Sequence, residues 1–191
     1  NMSLKKKSVL RDWVESIIVA FLLAMVIRAF VVQAFKIPTG SMRMTLIEGD
    51  LILVNKFIYG AKVPFTNWRL PALRQPKRGD VVVFIYPEDK KKDFIKRLVG
   101  LPEETIEIKG GSIYVNDKPA VEPIFKQIYY YNRGEFASEG QKITVPKDSY
   151  FVLGDNSISS KDSRYWGFVP KDNLLGQALI AYWPPQRIRA I

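Results

Sequence analysis

The chain has 191 residues with an ordinary apolar content of 47%, enough for one medium domain and a short appendage. Histidine and cysteine are both absent, which excludes Ser-His-Asp and thiol catalysis, disulfides and the usual zinc sites, and leaves Lys, Tyr, Asp or Glu as acid–base groups. Lys and Arg number 29 against 19 Asp and Glu, a net charge of +10, but these residues are scattered without interleaved aromatics, so nucleic acid is not an expected partner.

The N-terminus carries Lys5, Lys6, Lys7 and Arg11, then an unbroken apolar run from Ser16 to Ile27. Twelve residues fall short of the about 20 that a spanning helix needs. With Glu15 and Arg28 snorkelling, the stretch Val14–Phe35 is long enough. No small-x-small cleavage site follows it, so an uncleaved anchor is expected rather than a secretory signal. The expected organisation is a cytoplasmic tail over 1–12, a transmembrane helix over 13–35 and an extracytoplasmic β domain over 36–191.

Beyond the anchor, short β-like runs alternate with turn residues. Asp50–Asn55, Val81–Tyr86, Phe94–Val99, Tyr150–Leu153 and Leu175–Tyr182 are the expected strands. Gly60–Pro76, with three prolines, reads as a loop in which Phe65 and Trp68 suit a membrane interface. The sharpest expectation is a hairpin in TIEIK-GG-SIYVN. A Gly110-Gly111 turn pairs Lys109 with Ser112, Ile108 with Ile113 and Ile106 with Val115, so four aliphatic side chains share one face. Asp117–Gln141 is set apart as a possible inserted lobe, and Arg78-Gly79-Asp80 reads as a turn before a strand.

Three segments carry groups suited to chemistry. In Pro38-Thr39-Gly40-Ser41-Met42, the Ser41 amide and the Thr39 hydroxyl can face one oxyanion. A serine nucleophile needs a base, and without histidine a desolvated lysine is the available choice. In Phe94-Ile95-Lys96-Arg97-Leu98-Val99, strand alternation puts Lys96 on a face with Phe94 and Leu98. Arg97 falls on the other face and stays protonated. Gly154–Arg164 gathers hydroxyls and carboxylates into a framework where Asp162 pairs with Arg164 or Lys161. It lacks the sixth-position Gly and twelfth-position acid of an EF-hand, and no metal is expected.

Together these segments resemble the bacterial type I signal peptidases. The resemblance is carried by PTGSM, GDLILVNKFIYG, KRGDVVVFIYPED, FIKRLVGLP and GDNSISSKDSRYWGFVP, in the family's order. It implies a mainly β fold, with an antiparallel-sheet catalytic domain and a smaller β extension. It also implies a Ser–Lys dyad of Ser41 and Lys96, with Ser160 orienting Lys96 and Thr39 in the oxyanion hole. Asp162 and Arg164 become a supporting pair, and Phe35, Ile37, Met42, Leu46, Ile52, Val83, Phe94 and Ile95 line shallow pockets for small residues. The implied partners are secretory precursors and membrane lipid at the bacterial plasma membrane, with no cofactor. The family commonly has Pro where Met44 stands, Gly-Asp where Glu103-Glu104 stand, and Arg where Ser157 stands. A self-cleaving repressor-type protease and an inactive anchored β module that binds a partner are the alternatives.

Overall fold

The computed structural model describes residues 9–63, 66 and 68–191, so the basic cluster Lys5–Lys7 and Phe65 lie outside the described residues. The chain opens with helix α1 (Val9–Phe30), followed by strand β1 (Val32–Lys36) and β2 (Leu51–Asn55). Next come β3 (Val81–Ile85), β4 (Asp93–Gly100), β5 (Thr105–Lys109), β6 (Ser112–Val115), β7 (Lys118–Pro119) and β8 (Ile143–Thr144). The chain ends with β9 (Ser149–Leu153), the short helix α2 (Ser163–Trp166), β10 (Val169–Pro170), β11 (Leu174–Trp183) and β12 (Arg189–Ala190). Two antiparallel sheets result. The larger has the order β1-β2-β11-β3-β4-β9-β10 with β12 added to β11, and the smaller has the order β7-β6-β5-β8.

The N-terminal helix has other bounds than the expected 13–35. The helix stops at Phe30, and Val32–Lys36 pairs along its whole length with Asn55–Leu51 of β2. That leaves the Ser16–Ile27 run as the uninterrupted apolar part of α1, about 18 Å at a rise of about 1.5 Å per residue, against a hydrocarbon core of about 30 Å. Among the described residues no helix is long and apolar enough to cross a membrane. Residues 32–36 leave the helix because their backbone groups and the Phe35 side chain are satisfied in the sheet, where Phe35 lies opposite Ile52.

The central strands β2, β3, β4, β5, β6, β9 and β11 form where alternation and β-branched content predict them, whereas β1 and the two-residue strands β7, β8, β10 and β12 are not among the expected strands. In β3, Val81 and Val83 face one apolar cluster with Ile52, Val54 and Ala178, while Val82 and Phe84 face a second with Leu98, Tyr150 and Val152. The hairpin has the predicted register residue for residue, and Ile106, Ile108, Ile113 and Val115 are all buried in a third cluster. Gly110 and Gly111 adopt φ of 57° and 78°, the left-handed turn that twists in the same sense as the strands. The 117–141 segment is tied to this sheet through Phe125, Ile128, Tyr130 and Ala137, which are buried in the hairpin's own cluster. Arg78-Gly79-Asp80 is a turn before β3 with Gly79 at φ 92°.

Candidate active site

β4 delivers the first functional group. Its pairing with β3 sets Lys96 opposite Val82 and Arg97 opposite Val81, so the two cations leave opposite faces of one strand. Lys96 is buried, with its Nζ 5.3 Å from the centre of the Phe94 ring. Nζ donates to the Ile95 carbonyl at 2.9 Å and lies at hydrogen-bond distance, 2.7 Å, from Ser41 Oγ. Burial pushes the Lys96 amine down to about 8, against the opposing pull of the Asp162 and Asp155 carboxylates.

Ser41 sits in a one-turn 3-10 segment, Gly40–Met42. The buried Met42 side chain plugs into the cluster under β2 and β3 and fixes the turn from below. From above, Asn156 donates its backbone N–H to the Ser41 carbonyl at 3.0 Å and its side-chain amide to the Gly40 carbonyl at 2.9 Å. Thr39, extended at φ −138°, makes no capping bond with its side chain. Thr39, Ser41, Phe94 and Lys96 line one cavity of about 420 Å³, together with Asn156, Ser159 and Lys161.

Approach of the 154–164 segment to Ser41 depends on Gly154. A Cβ there would lie 2.1 Å from Ser160 Oγ and 2.5 Å from the Ser41 carbonyl oxygen, so only glycine lets the two loops meet. Two fully or nearly buried ion pairs then hold the loops. Asp162 takes Arg164 in a fork, Oδ1 from Nε at 2.8 Å and Oδ2 from Nη2 at 2.9 Å, and also accepts from the Gly154 N–H at 3.0 Å. Arg164 donates further to Ser157 Oγ, Ser157 O, Tyr131 O and Ser160 O. Asp155 takes Arg97 in a second fork at 2.8 and 2.6 Å, and Thr45 Oγ1 joins both partners.

The profile of the family described as signal peptidase, peptidase S26, matches residues 10–183. The chain belongs to that family. It is 33% identical to Signal peptidase I of Pseudomonas aeruginosa, a match covering 97% of this chain and 77% of the relative. It is 38% identical to the Probable signal peptidase I-2 of Synechocystis sp., over 92% and 76% of the two chains. It is also 35% identical to Signal peptidase I P of Bacillus subtilis subsp. natto, over 97% and 95%. A crystal structure of a signal peptidase I from Enterococcus faecalis V583 is 33% identical, covers 55% of this chain and 97% of that one, and superposes with a TM-score of 0.43.

In this S26 chain the sequence-derived residues fall into three groups. Ser41, Lys96 and Thr39 meet around one cavity. Asp162 and Arg164 pair beside them, and Lys161 is not the partner of Asp162 but lies exposed near Glu88. Ser160 is buried next to Gly154, yet its hydroxyl has no hydrogen-bond partner, so the implied bond to Lys96 is not formed. Of the eight pocket residues, Ile37, Met42, Leu46, Ile52, Val83, Phe35 and Ile95 share one apolar cluster, the first five buried. Phe94 packs on the opposite side of β4, and it alone of the eight lines the Ser41 cavity.

Sequence reasoning missed Asn156, Asp155 and Thr45, and read Arg97 only as a cation on the far face. An Arg at an inward position of a strand signals a buried carboxylate somewhere in the chain, but spacing does not say which one. Among the described residues no group of three or more Asp or Glu is placed to hold a metal ion.

Proposed function

We propose that this chain is a serine endopeptidase that removes signal peptides from secretory precursors, with Ser41 as nucleophile and Lys96 as general base. The observation that carries the reading is a buried lysine amine 2.7 Å from a serine hydroxyl, at the wall of an open cavity, in a member of the signal peptidase family. An amine with its pKa lowered to about 8 is neutral in about a tenth of molecules at pH 7 and about half at pH 8, and a neutral amine accepts a proton.

In the reaction, the Ser41 hydroxyl proton passes to neutral Nζ as Oγ attacks the carbonyl carbon. The carbonyl electron pair moves to oxygen, where the Ser41 amide and the Thr39 hydroxyl donate to the oxyanion. Collapse expels the new N-terminal amine, which takes the proton from Nζ. Water then attacks the acyl-enzyme with Lys96 again as base, releasing the signal peptide's carboxylate. Ser160 is assigned as the group whose hydroxyl turns to the amine during the reaction, a role supported by its burial beside the site and by a hydroxyl that has no hydrogen-bond partner at rest. The Asp162–Arg164 pair holds the segment that carries it. The apolar cluster that holds Phe35, Ile37 and Ile95 is assigned the small-residue subsites, where limited space selects small residues before the cut by excluding larger ones.

Attachment to the plasma membrane, with the β domain on the outer side, is proposed for the N-terminal segment. All large apolar side chains from Val9 to Ile27 are exposed along α1, which a helix in water does not sustain. Sedimentation with membranes, abolished by deleting residues 1–30, is the expected behaviour.

The deciding assay is cleavage of a purified precursor in detergent by the full chain, Ser41→Ala and Lys96→Ala. Both variants lose at least about 10³-fold in rate, and the wild-type rate rises as pH passes through about 8. An active Lys96→Ala variant reassigns the base. An inert wild type returns the chain to the partner-binding module.

A further inference from the structure

A second cavity, of about 440 Å³, adjoins the first and shares Arg43, Asn156 and Ser159 with it. Its other walls include Met44, Tyr129, Tyr131 and Ile158, all exposed apolar or aromatic side chains. These walls are built rather than loose. The Tyr129 and Tyr131 rings meet edge to face at 4.9 Å, and the Tyr129 ring lies so close over Gly111 that a Cβ there would come within 2.2 Å of it. The Tyr131 N–H donates to Ser157 Oγ at 3.0 Å, and Arg133, whose guanidinium is 5.4 Å from the centre of the Tyr131 ring, donates to the Ile158 carbonyl at 2.9 Å. Met44 holds φ 95°, a backbone conformation that non-glycine residues rarely adopt, and strain of that kind concentrates at functional sites.

The chain's course past Ser41 suggests the occupant. Before Ser41, Phe35 and Ile37 enter the apolar cluster of the proposed small-residue pockets, and after it Arg43 and Met44 line the second cavity. An extended substrate advances about 3.4 Å per residue, so one lying across Ser41 enters this cavity a few residues past the cut. Resting on the signal peptidase reading, we propose that the cavity walled by Met44, Tyr129, Tyr131 and Ile158 receives an apolar side chain from the mature part of the precursor, just after the scissile bond. The enzyme then reads sequence on both sides of the cut. Small residues are required before it by exclusion, and apolar residues are favoured after it by burial.

The test uses the full chain in detergent and precursors identical through the small-x-small site, with Leu or Gly at each of the first four positions after the cut. The wild type cleaves the best-placed Leu precursor about tenfold faster in kcat/KM than its Gly counterpart, the scale of hydrophobic-pocket discrimination. In Tyr129→Ala and in Ile158→Ala that Leu-to-Gly ratio falls towards one. A ratio near one in wild type, or a ratio that both variants retain, overturns the proposal while cleavage itself upholds the enzyme. Failure of wild type to cleave any of these precursors removes the reading on which the proposal stands. Because the readout is a ratio within each variant, a loss of folded enzyme cancels from it.

Discussion

The small sheet and the β3–β4 pair obey the same alternation but fill their inward positions with different chemistry. In β5–β6 the inward residues are Ile106, Ile108, Ile113 and Val115, which bring no polar demand of their own. Next to them, β4 buries Lys96 on one face and Arg97 on the other, and the 154–164 loop adds Asp155, Asp162 and Arg164, all buried. An aliphatic face is stable wherever it is covered. A buried charge is tolerable only where a partner of opposite sign arrives from elsewhere in the chain, and even then it is weak support for stability. The hairpin therefore stabilises, whereas the β4 region trades stability for a buried amine of lowered pKa beside a serine.

That contrast is open to measurement. The largest effect is expected from Asp162→Asn, which leaves Arg164 buried without its carboxylate. The loss is about 3–5 kcal/mol in denaturant unfolding, and a loss under 1 kcal/mol would mean the pair is dispensable. Next is the pH dependence of stability. The folded pKa of Lys96 is depressed from 10.5 to about 8, so between these values the unfolded chain binds more protons and stability rises with pH. Compared with Lys96→Met, the wild type gains about 3 kcal/mol between pH 8 and 10.5 and shows no relative change below pH 7. Parallel curves for the two proteins across that window would show that Lys96 is not desolvated.

Gly154→Ala probes the meeting of the loops. Its Cβ collides with Ser160 and the Ser41 carbonyl, and the expected loss is about 10²-fold in kcat with a smaller effect on KM, read in the precursor assay. The smallest effect belongs to the aliphatic region. Ile113→Val costs about 0.5–1.5 kcal/mol in unfolding and leaves the pH–rate profile in place. A shifted profile in that variant would couple the small sheet to the chemistry and erase the distinction between the regions.

The aliphatic region was legible because its information is local. A period of two and a Gly-Gly turn set the hairpin's register without reference to anything beyond Thr105–Val115. Ser41 and Lys96 were legible as residue types, because without histidine or cysteine few bases can serve a serine. Their environment was less so. The hairpin's neighbour, 117–141, looked like a separate lobe because its apolar residues follow no single period, although Phe125 and Tyr130 bury in the hairpin's core. The bounds expected for the N-terminal helix, 13–35, shifted for a related reason. Hydropathy reads Val31–Phe35 as a continuation of the helix, and only the pairing with β2 moves those residues into the sheet.

By itself, then, the sequence determined the chemical inventory, the β character, the longer central strands and one complete register, since each depends on composition or on neighbours a few residues apart. Only the tertiary structure decided which charges meet. Lys96 and Ser41 are joined across 55 residues, Arg97 and Asp155 across 58, and Asn156 reaches Gly40 across 116. Separations of that length carry no periodic signal, so packing the two sheets and the 154–164 loop together is what turns an ordinary strand lysine into a buried, neutralisable amine.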